Sequence, residues 1–87
     1  MSIDDIRNIL VSFLTSRFEL PFGKDPGLDL DTPLYDCGYI DSMDSLVLLA
    51  YIEKTFSMKI STKELIESPM NSVNEMAELI AGKLGIK

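Results

Sequence analysis

Glycine and proline divide this chain more sharply than hydropathy does. Three of the four prolines and three of the five glycines fall between Pro21 and Gly38, whereas residues 39–68 contain neither. Both residues break helices, proline by lacking an N–H and glycine by its backbone entropy. Any helix begun near the N-terminus must therefore end close to Glu19, and a second long helix has room only beyond Gly38. Between them, from Glu19 to Ile40, lies a 22-residue connection without helical period. Connections of that length in small domains are usually functional or disordered. Leu28, Leu30, Leu34, Tyr35 and Ile40 make it too apolar for a solvated linker, and Leu34 and Ile40 are expected to lid a core.

On the flanks the helical signals are clear. Ile3, Ile6, Leu10, Phe13, Leu14 and Phe18 recur at helical spacing, and Ser2 with Asp5 has the spacing of a capping box, predicting a helix over 3–18. Asp41 is a good N-cap for a helix from Ser42 to Phe56. The run Leu46–Ile52 could by period alone be a buried strand, but the uninterrupted segment is long and rich in helix formers. That helix is apolar on two sides. Ser45, Leu48, Leu49, Ile52 and Phe56 form one stripe; Met43, Leu46, Val47 and Ala50 form the other. Burying both is hard in 87 residues, so the second stripe is expected to face something else. Ser61-Thr62 caps a short helix over 63–67, ended by Ser68-Pro69. Ser72-x-x-Glu75 opens a last helix, with Val73, Met76, Ala77, Ile80 and Leu84 inward, a weak point at Gly82 and a closing Gly85. The expected fold is all-α: a small antiparallel four-helix bundle, three main helices plus one short, in a single domain over 1–87.

Composition limits the chemistry. There is no histidine, so the usual general base at neutral pH and the commonest metal ligand are missing. One cysteine, Cys37, excludes an internal disulfide or a cysteine zinc site. The net charge of −6 argues against nucleic acid and anionic lipid as partners. All of it lies in residues 25–67, where nine acids face Lys54, Lys59 and Lys63, which predicts a basic partner for one surface. No basic-then-apolar leader opens the chain and no run is long enough to span a bilayer, so a cytoplasmic monomer with reduced Cys37 is expected. Asp25, Asp29, Asp31 and Asp36 match a calcium loop poorly: Leu30 stands where glycine is required and the last position is Asp, so no metal site is expected. Cys37 and the serines lack a histidine to activate them, so no catalytic residue is assigned.

What remains is a serine at the first turn of the second helix, in Gly38-Tyr39-Ile40-Asp41-Ser42-Met43-Asp44-Ser45-Leu46. A phosphoester there would sit where free N–H groups and the helix dipole favour an anion; equally, Ser42 or Asp41 could act as a simple cap. Asp-Ser-Met, followed by a two-faced helix ending in Glu-Lys-Thr-Phe, resembles the phosphopantetheine attachment region of acyl carrier proteins, whose motif is Asp-Ser-Leu with Met as a variant in D-alanyl carrier proteins. The likeness extends over essentially the whole chain, including Asp31-Thr32-Pro33-Leu34, the Gly38 turn and Ile60 before a short helix. Asp44-Ser45-Leu46 spells the commoner motif more closely. Gly38 and Ile40 before Asp41, the fourteen residues from Ser42 to Phe56 and the core-stripe position of Ser45 favour Ser42.

The resemblance implies a protein that is not an enzyme. It would hold acyl or aminoacyl groups as thioesters on 4′-phosphopantetheine, joined to Ser42 beside Asp41 by a pantetheinyl transferase using coenzyme A. It also implies docking of loading and transferring enzymes with basic faces on Asp41, Asp44 and Glu53 around Met43, Leu46, Val47 and Ala50, extended by Glu64 and Glu67, and weakened by salt. Val47 stands where housekeeping fatty-acid carriers bear an acid, which suggests a specialised carrier. Leu48, Ile52 and Ile80 are expected to line a shelter for the acyl chain. A competing reading is a small acidic helical adaptor that binds a basic protein without modification.

Overall fold

A computed structural model describes residues 1–86. Its elements are α1 (Ile3–Phe18), α2 (Ser42–Thr55), α3 (Thr62–Glu67) and α4 (Val73–Leu84), with no strand among the described residues. The chain is a small all-helical bundle, as the pattern of breakers predicts.

Each helix starts where a side chain takes up an orphan amide. Ser2 Oγ accepts from Asp5 N at 3.2 Å while Asp5 returns to Ser2 N at 2.9 Å. Ser61 and Glu64 form the same reciprocal pair at 3.1 Å each. In α4 the box is only half made. Ser72 Oγ accepts from Glu75 N at 3.2 Å, but the Glu75 carboxylate reaches past the cap to Asn71 N at 3.4 Å. Glu19 stops α1 in the left-handed conformation (φ 57°), two residues ahead of Pro21, and buried Leu20 follows. α4 runs through Gly82 and ends at left-handed Gly85, with Ile86 N bonded to Ala81 O at 2.8 Å. The second helix closes one residue earlier than its apolar pattern suggests: Phe56 is the cap and is buried.

The core is built from Ile6, Leu10 and Leu14 of α1, Leu48 and Ile52 of α2, and Val73, Met76, Ala77, Ile80 and Ala81 of α4. Leu84, expected inward, is 40% exposed; the last turn of α4 runs beyond the core, and Ala81 takes the buried place. Phe13 stacks on Tyr51 at 3.7 Å, joining α1 to α2.

The long connection is ordered by its own hydrogen bonds. Thr32, buried, accepts from Asp29 N at 2.8 Å and donates to the Gly27 carbonyl at 3.1 Å. Leu34 N bonds Asn71 O at 2.7 Å and Tyr35 N bonds Asn71 Oδ1 at 3.1 Å, tying the loop to the start of α4. Tyr39 N and Ile40 N both return to Leu34 O, across Gly38 at φ 81°. Leu28, Leu34 and Ile40 are buried as lids of the core.

Candidate functional site

Gly38 is the pivot. Its positive φ lets the chain double back so that Ile40 drops into the core and Asp41 emerges at the surface. The Cβ of another residue would meet no neighbour there, so the φ alone demands glycine. Asp41 then caps α2: its Oδ1 accepts from Asp44 N at 2.9 Å, and Asp44 Oδ2 accepts from Asp41 N at 3.1 Å. The two carboxylates thus brace the turn that holds Ser42 between them.

Ser42 is exposed on this first turn. Among the described residues no hydrogen bond holds its hydroxyl, whereas its carbonyl accepts from Ser45 Oγ at 2.6 Å. Ser45 is half-buried rather than a core residue. Its hydroxyl is committed to that carbonyl and lies beside the Tyr35 phenol. The two serines differ on other ground: one hydroxyl is free at the surface, the other is engaged.

Beside Ser42 opens a cleft of about 420 Å³ lined by Tyr35, Ser42, Ser45, Leu46, Leu49, Leu65, Pro69, Met70 and Asn71. It is bounded by the loop, α2, α3 and the α3–α4 linker. None of the lining residues is charged. Burial raises the Tyr35 phenol above its ordinary value; Ser45 opposes the shift and the Asp44 charge adds to it. Leu48, Ile52 and Ile80 are fully buried in the core and line none of this cleft. Leu65, Met70 and Asn71 carry no signal of their own in the sequence, because the α3–α4 linker meets the loop only through the tertiary fold.

The apolar stripe of α2 is outward, as expected: Met43 is 71% exposed, Leu46 62% and Val47 36%, with Ala50 also exposed. The acids beside it are less free. Glu53 Oε2 accepts from Ile60 N at 3.0 Å, and Glu64 Oε2 from Lys83 Nζ at 2.7 Å. The Lys83 ammonium, with Ser61 N, holds the Glu64 carboxyl below its ordinary value. Glu67 is exposed, 4.0 Å from Lys63. The loop acids are occupied in turns: Asp25 with Gly27 N and the Tyr39 hydroxyl, Asp29 with Asp31 N, Asp31 with Asn74, Asp36 with Asn71. Among the described residues no three metal-binding side chains converge.

The family model described as the phosphopantetheine attachment site matches residues 7–80 of the chain. The chain belongs to that family. A comparison with curated proteins gave no match. Phosphopantetheine-attachment domains are carriers that bear covalent 4′-phosphopantetheine, work with pantetheinyl transferases and enzymes, and are themselves non-catalytic. The local structure fits such a group. A phosphodiester needs an unengaged hydroxyl with room around it, and Ser42 offers one at a helix N-terminus, where the dipole favours an anion. Among the described residues no helix is long and apolar enough to cross a membrane.

Proposed function

We propose that Ser42 carries the 4′-phosphopantetheine arm and that the chain, acting as one unit over 1–87, holds acyl groups as thioesters for transfer between enzymes. The observation that carries this reading is the free, exposed Ser42 hydroxyl, braced by the Asp41–Asp44 box at the mouth of an apolar cleft. When attached, the arm supplies the thiol that bears the thioester; the chain's own thiol, Cys37, has no histidine to activate it. The chain's own residues do the rest. Asp41 and Asp44 fix the direction in which the arm leaves, which restricts the poses its end can take. Tethering holds the cargo at high effective concentration near a docked enzyme.

Between acyl and aminoacyl cargo, including the D-alanyl group the motif evokes, the cleft favours acyl. Apart from Ser42, whose oxygen would bear the arm, its polar members are already paired: Asn71 with Tyr35 N and Asp36, Ser45 with the Ser42 carbonyl. An ammonium would find no carboxylate in the lining, whereas an aliphatic chain would bury apolar surface against Leu46, Leu49, Leu65 and Met70. At about 420 Å³ the volume suits a small-ligand site. Val47 on the outward face supports a dedicated carrier over a housekeeping one, and exposed, unpaired Cys37 suits the reducing cytoplasm.

The test is incubation with a pantetheinyl transferase and coenzyme A, read by intact mass. The wild type and Ser45→Ala should gain the arm and Ser42→Ala should not. A modified Ser42→Ala with an unmodified Ser45→Ala would move the site. An unmodified wild type would leave the unmodified acidic adaptor as the better reading.

A further inference from the structure

The start of α4 grips the long loop at two places, each time through an asparagine. Asn74 takes the earlier one. Its N–H donates to the Leu30 carbonyl at 2.9 Å and its Nδ2 to Asp31 Oδ1 at 2.6 Å, while its Oδ1 accepts from Arg7 Nε at 2.8 Å. Asn71, just ahead of the Ser72 cap, takes the later one. Its carbonyl accepts from Leu34 N at 2.7 Å, its Oδ1 accepts from Tyr35 N at 3.1 Å, and its Nδ2 donates to Asp36 Oδ2 at 3.2 Å. A primary amide offers an acceptor and a donor side by side, and here a backbone N–H and a carboxylate use both.

The two grips differ in what lies behind them. Asn74 lines none of the cleft, whereas Asn71 lines it together with Tyr35 and Ser42. The stretch that Asn71 holds is also the one that shapes the turn before Ser42. Leu34 O accepts from Tyr39 N at 2.9 Å and from Ile40 N at 3.3 Å, and Tyr35 O accepts from Gly38 N at 3.1 Å. Leu34 and Tyr35 thus bond to Asn71 through their N–H groups and to the Gly38 turn through their carbonyls. From Ile40 the chain passes directly to the Asp41 cap and to Ser42. Among the described residues no hydrogen bond joins Asn71 to Ser42 itself, so any influence on the serine runs through this turn.

We propose that the Asn71 side chain is a positioning residue for arm attachment: it holds Tyr35 and Asp36 so that the Gly38 turn presents Ser42 in one orientation at the mouth of the cleft. This rests on the carrier reading of Ser42. Without that side chain the serine samples more orientations while the outward face of α2 is unchanged. A transferase then binds as before but reacts from fewer of its encounters, which lowers kcat at constant KM. General destabilisation acts differently: an unfolded fraction withdraws competent carrier and raises the apparent KM without changing kcat.

Arm transfer from coenzyme A by a pantetheinyl transferase is measured on the full chain as separate kcat and KM values, and circular dichroism checks that each variant is folded. Asn71→Ala should lower kcat about tenfold with KM within about twofold of the wild type. Asn74→Ala removes the other grip and should leave kcat unchanged. Asn71→Asp keeps an acceptor for Tyr35 N but sets a carboxylate against Asp36, and should lower kcat likewise. Adding Asp36→Asn supplies the donor from the opposite side and should recover most of the loss. The proposal is overturned by a folded Asn71→Ala with the wild-type kcat, by a loss confined to KM, by an equal loss of kcat in Asn74→Ala, or by a double variant no better than Asn71→Asp alone. Each of those results leaves Ser42 as the attachment point. A wild type that is never modified removes the carrier reading and this one with it.

Discussion

At Asp41 one carboxylate sets where α2 begins and therefore where Ser42 stands. Removing it should cost about 1 kcal/mol, the usual value of an N-cap. Asp41→Ala should lower the urea midpoint accordingly, whereas Asp41→Asn, which keeps an accepting oxygen in the same place, should recover most of the loss. This much was legible in the sequence because capping is local: Asp41 and Asp44 are three residues apart. Glu53 was not legible in the same way. Its partner, Ile60 N, lies seven residues away, across a turn in which Ser57 adopts φ 51°. That hydrogen bond depends on a turn that the spacing of Glu53 on its helix does not announce. Ser45 misled for a related reason. Helical spacing placed it in line with Leu48 and Ile52, but at the first turn of α2 that line runs along the cleft rather than into the core.

Among the elements, α2 is the one whose two faces have different purposes. Leu48 is fully buried and Leu46, two residues earlier, is 62% exposed. Leu48→Ala should destabilise the fold by about 2–5 kcal/mol, as expected for a core leucine that leaves a cavity. Leu46→Ala should change it by less than about 0.5 kcal/mol, as for an ordinary surface position. Thermal or urea unfolding of the two proteins separates the faces directly; comparable losses would mean that Leu46 is packed in solution. The four helices and their starts were legible because amphipathic spacing and caps are written within each segment. The loop's path was not, since it depends on pairings such as Leu34 N with Asn71 O, 37 residues apart in the chain.

For the molecule as a whole, the pH profile follows from four groups. Asp5 is held below its ordinary value by hydrogen bonds from Ser2, and Glu64 by Lys83 and Ser61. Groups with lowered pKa stabilise the fold above the ordinary carboxylate range and lose that contribution as pH falls through the lowered values. The Tyr35 phenol is raised by burial, and that of Tyr39 by donating its proton to Asp25. Their contribution is complete below the ordinary tyrosine value, about 10, and is lost as pH rises through the raised values. The midpoint of thermal unfolding should therefore fall at both acid and alkaline extremes, with no histidine titrating between. Glu64→Gln should blunt the acid limb and Tyr35→Phe the alkaline one, measured as the slope of Tm against pH. An alkaline limb unchanged in Tyr35→Phe would assign it to Tyr39 alone.

The shortest helix has a consequence for how much the cleft can hold. α3 has six residues and none of them is buried; its cap, the Glu64–Lys83 pair and the half-buried Leu65 hold it in place. Segments with so little buried surface open at a small fraction of the global unfolding free energy. Because α3 supplies one wall of the cleft through Leu65, that wall can swing outward while α1, α2 and α4 keep the core shut. If the cleft holds the proposed acyl chain, a longer one would then cost the undocking of one short helix, not the opening of the bundle.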